Sequence, residues 1–240
     1  MQTNVIVCCL RVFSARYLKK AVRECRKRDT VLLSFQESSM LLNKYKLPLV
    51  QSTVIQAQTP YTFSYPVVLK AFSPSIVHKT EKGAVVRDIR NAAELESARV
   101  MMKARLAGKN PTFVVQPQLT GVELILGMKT DPQFGKVIIF GVGGILVELF
   151  KDVTFRIAPL KRKDAQDMLQ GIKAKKLLDG FRNLPAVDKP TLVRLLMKLS
   201  DLVMHEDIDE LDLNPVIASG KNIFIVDARI IVSLSKRGKP

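Results

Sequence analysis

The sequence predicts an α+β fold whose sheets pair mainly antiparallel, and three observations carry that prediction. Two tight turns, Asp131-Pro132-Gln133-Phe134-Gly135 and Ser219-Gly220-Lys221, each join a pair of apolar, β-branched runs, which is the signature of a hairpin. Helix starts are marked by capping residues: Ser34 with Glu37 three positions on, and Asn91 before an alanine-rich run. Strands and helices nevertheless do not alternate as a regular βαβ repeat, so a doubly wound parallel sheet is disfavoured.

In chain order, residues 1–30 read as a short apolar segment followed by a basic helix from about Phe13 to Arg28, with Phe13, Tyr17 and Ala21 at helical spacing. Ser34 caps a helix reaching about Tyr45, which Leu47-Pro48 stops. Leu49 to Ile55 reads as a strand, 56–65 as a loop, and Pro66 to Phe72 as a strand ending near Lys70. After a loop carrying His78, Ala84 to Ile89 is a strand, and Asn91 caps a helix from Ala92 to Leu106 that Gly108 closes. Thr112–Gln116, Val122–Met128, Lys136–Phe140, Ile145–Phe150 and Thr154–Ala158 are strands. Lys163–Lys173 and Lys189–Met204 are amphipathic helices, and Ile208–Ala218 with Asn222–Ile231 forms a closing strand pair.

At 240 residues with 47% hydrophobic and 25% charged residues, the chain has the balance of a globular protein. No apolar run approaches the ~20 residues of a membrane span, so a membrane role is not expected. Cys8, Cys9 and Cys25 lack metal-ligand spacing, and reduced thiols in a cytoplasmic protein are the expectation. The net charge of +16 favours anionic ligands. No helix-turn-helix, zinc-finger or RNA-binding signature accompanies it, and aromatics are only 6%, so nucleic acid is disfavoured.

Several residues are candidates for chemistry. Lys70 is either a solvated strand-end charge or an ammonium placed on phosphate. His78, between cations in Ser73-Pro74-Ser75-Ile76-Val77-His78-Lys79-Thr80-Glu81-Lys82-Gly83, is surface decoration or a nucleophile. Lys79 and Lys82 would hold its ring neutral and would stabilise a transferred phosphoryl group. Gly141-Val142-Gly143-Gly144 is either a tight hairpin or a glycine loop that lets backbone N–H groups approach an anion. Asp212 and Asn214 alternate on one face of a strand, and pairing about the 219–221 turn puts Asn214 nearly opposite Asp227. Carboxylate and amide oxygens together suit Mg²⁺, which keeps waters and binds phosphates. Glu123 and Glu148 are further acids near strands.

Taken together, these pieces resemble the β subunit of ADP-forming acyl-CoA synthetases (acetate–CoA ligases), an ATP-grasp protein related to the succinyl-CoA synthetase β subunit. The resemblance runs from about Leu33 to Ile231. It rests on Tyr65-Pro66-Val67-Val68-Leu69-Lys70, the His78 loop, Asp131 to Gly135 and Phe140 to Ile145. It continues through Glu148, Lys151-Asp152-Val153, Phe155 to Leu160, Leu211 to Pro215 and Val226-Asp227-Ala228-Arg229.

The resemblance implies two α+β ATP-grasp lobes: residues 31–120, with a shortened first lobe, and residues 121–232. A basic arm (1–30) and a basic tail (233–240) flank them. It implies ATP or ADP as substrate, with Lys70 on the phosphates and Glu123, Gly143 and Gly144 around the nucleotide. Asn214 and Asp227 match Mg²⁺ ligands. His78 is similar to a second phosphohistidine, taking a phosphoryl group from an α subunit, in an α2β2 complex, and passing it to ADP. The reaction implied is acyl-CoA + ADP + phosphate ⇌ acid + CoA + ATP. Two positions depart from the family pattern: Gly83-Ala84 for Gly-Gly, and Gln116-Pro117 for Gln-Glu. They support a rival expectation, a non-catalytic subunit that binds nucleotide or stabilises a partner.

Overall fold

The computed structural model describes residues 30–55, 62–73, 83–144 and 152–233. The expected helix at 13–28, the His78 loop, the expected strand at 145–150 with Glu148, and the basic tail lie outside the described residues. The described residues form two compact units, one of residues 30–49 and 120–233, the other of residues 50–119. Among them, no helix is long and apolar enough to cross a membrane.

The larger unit is built on a seven-stranded sheet. Its strands are β1 (Thr30–Leu32), β6 (Val122–Asp131), β7 (Gly135–Val142), β8 (Val153–Ile157), β9 (Ile208–Ser219), β10 (Asn222–Ile225) and β11 (Ala228–Ser233). They run in the order β1-β11-β9-β6-β7-β8, with β10 also on β9, and every ladder is antiparallel. The turn between β6 and β7 forms as its residues dictate: Asp131 Oδ1 accepts from the N–H groups of Gln133 (2.8 Å) and Phe134 (3.0 Å). Gly135 takes the left-handed φ of +72° that the turn requires.

One face of this sheet is the core. Alternate residues Val122, Leu124, Leu126 and Met128 on β6, and Leu211, Leu213 and Val216 on β9, are buried with Leu192, Leu195, Leu196, Leu199 and Leu202 of helix α4 (Lys189–His205). Asp188 starts α4, its Oδ2 accepting from the Thr191 N–H at 2.9 Å. Helix α3 (Arg162–Gly171) adds Ala165, Met168 and Leu169 to the same core. It was expected to run on to Lys173 but ends at Gly171, because Ile172 is extended (ψ 142°) and a 3₁₀ segment, Lys173–Asp179, follows. The buried carboxylate of Asp152 accepts from the N–H groups of Lys173 and Ala174, both at 2.7 Å, and so starts that segment.

Helix α1 (Phe35–Lys44) carries the reciprocal cap its sequence announces: Glu37 N–H donates to Ser34 Oγ (3.3 Å) and Ser34 N–H to Glu37 Oε2 (2.7 Å). Its Leu42 is buried in the core of the larger unit, and β1 pairs with β11. Residues 31–49, expected within the first lobe, therefore pack with the second. Short local signals located these elements but could not say which sheet would receive them.

The smaller unit is a four-stranded antiparallel sheet in the order β2-β5-β3-β4, from β2 (Thr53–Ile55), β3 (Val67–Phe72), β4 (Val85–Ile89) and β5 (Thr112–Pro117). Helix α2 (Ala92–Arg105) closes one face, with Leu95, Ala98 and Met102 against Val67, Leu69, Ala71, Phe113 and Val115. Asn91 Oδ1 caps it by accepting from Glu94 N–H at 2.9 Å. The strand expected over Leu49–Ile55 is only three residues long, and Leu49 instead makes a single bridge to Ile225.

Candidate functional site

The candidate residues of the smaller unit lie on the face of its sheet opposite α2. Val67, Leu69 and Ala71 of β3 point into the core, so Val68 and Lys70 point the other way. Lys70 is opposite Val114 on β5 and Val85 on β4, and is 4% exposed. Gln116, opposite Val68, shares that face, is 2% exposed and donates from Nε2 to Ser52 Oγ at 2.9 Å. Lys70 is thus not the solvated edge charge that a strand-end lysine usually is. An enclosed ammonium on a rigid strand is suited to holding an anion.

In the larger unit the candidates lie on the face away from α3 and α4. The core takes Leu124, Leu126, Val142, Leu213 and Ala228, so their neighbours Glu123, Gly143, Asp212 and Arg229 are left for the second face. Glu123 and Gly143 are cross-strand neighbours, and Gly143 N–H donates to Glu123 O at 2.6 Å. A Cβ on Gly143 would lie 3.2 Å from Glu123 backbone and Cβ atoms, tighter than ordinary contact. Gly144 has φ +72°, and a Cβ there would lie 3.2 Å from Glu123 Oε2. The glycines therefore hold the chain against the Glu123 carboxylate. The loop reading of Gly141–Gly144 needs correcting in two respects. Gly141 and Val142 belong to β7, and the Gly143 N–H is already committed to Glu123.

Asn214 and Asp227 meet across the neighbouring strands. The register that pairs Ile225 with Val216 and Ala228 with Leu213 sets Asn214 against Asp227, and Asn214 N–H donates to Asp227 O at 3.2 Å. The final strand is not continuous as expected. It divides at Val226–Asp227 into β10 and β11, and β9 is irregular against β6 between Leu124 and Leu126. These breaks in the ladder coincide with the two oxygen-bearing side chains. Among the described residues no group of three or more His, Cys, Asp or Glu could hold a metal. An amide and a carboxylate oxygen are donors of the kind Mg²⁺ takes, with water and phosphate completing its shell.

Two residues along these strands stand Gly127, Asp212 and Arg229, cross-strand neighbours on β6, β9 and β11. The sequence singled out Asp212 but gave Arg229 no role; the alternation of Asp227 with Arg229 was the available signal. Asn214 and Asp227 are thus cross-strand neighbours, and Glu123 lies beside Gly143 and Gly144 in the same sheet. Lys70 belongs to the other unit, and His78 lies outside the described residues.

Over most of its length the chain is similar to known proteins. The family described as ATP-grasp domain matches residues 24–232. The beta subunit of acetate–CoA ligase (ADP-forming) II from Pyrococcus furiosus is 36% identical, over 89% of this chain and 97% of its own length. Acetate–CoA ligase (ADP-forming) II from Archaeoglobus fulgidus is 37% identical over 86% of this chain, which spans only 31% of that longer protein. Among solved structures, the acetyl-coenzyme A synthetase 1 of Ca. Korarchaeum cryptofilum, in complex with coenzyme A and Ca-AMPCP, superposes with a TM-score of 0.76. The two are 36% identical, over 91% of this chain and 100% of that one. Another structure of the same enzyme, with Mg-AMPPCP, has its phosphohistidine segment pointing towards the nucleotide-binding site and a TM-score of 0.70.

Proposed function

The chain belongs to the ATP-grasp family, and on that premise we propose that it is the nucleotide-binding β subunit of an ADP-forming acyl-CoA synthetase. The reaction is acyl-CoA + ADP + phosphate ⇌ acid + CoA + ATP. The observation that carries the proposal is the register of Asn214 against Asp227, in the sheet that also bears Glu123. An α partner would supply the CoA site and the first phosphohistidine, consistent with relatives that are beta subunits by name.

Each residue then has a physical task. Lys70 neutralises charge on the nucleotide phosphates from an enclosed position. Gly143 and Gly144, lacking side chains, keep the Glu123 carboxylate beside the nucleotide. Asn214 and Asp227 would hold Mg²⁺, which supplies further charge neutralisation when bound. His78 carries the phosphoryl group on a ring nitrogen. A terminal phosphate oxygen of ADP forms the new O–P bond as the N–P bond breaks, and the imidazole keeps the electron pair. Such a transfer needs little covalent help from the protein and depends on alignment and charge.

The site is tested by calorimetry of the full chain with ADP and Mg²⁺. Wild type binds ADP, and Asp227→Asn with Asn214→Ala weakens Mg²⁺-dependent binding by at least about tenfold, the worth of a charged contact. Equal ADP binding with and without Mg²⁺ in both proteins would exclude the metal assignment.

A further inference from the structure

Arg229 lies two residues along the strands from the Asn214/Asp227 pair, directly across from Asp212. Its guanidinium makes an ion pair with Glu210, Nη1 to Oε1, at 3.7 Å. This pair is the most enclosed of the Arg–carboxylate pairs described, with side chains 19% and 12% exposed. It is also the longest. The exposed Arg90–Asp88 pair closes to 2.7 Å, and Arg99, no more exposed than Arg229, closes to 2.6 Å on the exposed Glu96. That order is the reverse of what a structural brace needs, because an enclosed charge loses most by poor pairing. A guanidinium presents five N–H donors in a planar fork, and one contact beyond hydrogen-bond length serves it poorly. The fork matches two oxygens of a phosphate group.

We propose that Arg229 is a phosphate-binding residue of the nucleotide site, taking oxygens of the ADP polyphosphate beside the Asn214/Asp227 pair. The inference rests on the nucleotide reading above and adds a residue to it. Glu210 Oε1 stands beyond hydrogen-bond length of the guanidinium, and Gly127 leaves the β6 position of the row without a side chain.

The test is calorimetry of the full chain with ADP and with AMP, both with Mg²⁺. Arg229→Gln weakens ADP binding by at least about tenfold and AMP binding by less, because AMP lacks the second phosphate. Arg229→Lys restores part of the loss, keeping charge without the fork. Glu210→Gln leaves ADP binding at the wild-type level or tightens it. Wild-type ADP affinity in Arg229→Gln overturns the proposal, and so does Glu210→Gln losing as much affinity as Arg229→Gln, since the pair would then be a brace. A wild-type chain that binds no ADP sinks the nucleotide reading itself, and this inference with it.

Discussion

Gly144 shows how narrowly the site is set at the level of single residues. It has the left-handed φ of +72°, and a Cβ would lie 3.2 Å from Glu123 Oε2. Gly144→Ala meets both obstacles: a conformation that costs a non-glycine residue roughly 1 kcal/mol or more, and a displaced carboxylate. The variant should fold, with ADP affinity lowered about tenfold, and calorimetry beside a circular-dichroism melt separates the two effects. Unchanged affinity would mean that the Glu123 carboxylate has no part in holding the nucleotide. The sequence showed a glycine run between two strands but not which glycine turned. That depends on the extent of β7, which absorbs Gly141 and Val142.

Among the elements, α1 is fastened to the end of α4. Tyr45, the C-cap of α1, donates from its hydroxyl to Glu206 Oε1 at 2.8 Å, and Lys44 Nζ donates to the same oxygen at 2.7 Å. Glu206 is itself the C-cap of α4, and Lys136 Nζ donates to its carbonyl at 2.7 Å. The Lys44 hydrogen bond holds the Glu206 carboxyl below its ordinary pKa, while burial, followed by the bond to Glu206, pushes the Tyr45 hydroxyl up to about 12. The signs differ. Glu206 is lowered, so its contribution is present above the usual carboxylate pKa and is lost as pH falls through the lowered value. Tyr45 is raised, so its contribution is full below the ordinary tyrosine pKa and is lost as pH rises through about 12. Glu206→Gln should therefore cost about 1 kcal/mol at pH 7 and much less near pH 3, read from urea midpoints. A cost that stays the same at both values would contradict the clasp. None of this was visible in the sequence, because Tyr45 and Glu206 are far apart along the chain and neither sits in a motif.

Across the whole molecule, what could be read early was local. The cap at Ser34, the Asp131–Gly135 turn and the Asn214–Asp227 pairing follow from short spacing rules, and all three are present. What could not be read was the assignment of elements to sheets. Residues 30–49 join the unit that resumes at Thr120, because β1 finds its hydrogen-bond partner in β11, about two hundred residues later. The burial of Lys70 was equally hidden, since alternation gives the face a residue points to but not what covers that face.

In the proposed role the chain passes a phosphoryl group from His78 to ADP as one subunit of an acyl-CoA synthetase. The most direct measurement is ATP formation from acyl-CoA, ADP and phosphate by the full chain combined with a matching α subunit. The wild-type chain should support ATP formation. The His78→Ala chain should support none, although it still binds ADP as wild type does. ATP formation at the wild-type rate by His78→Ala, or none from a wild-type complex that binds ADP, would contradict it.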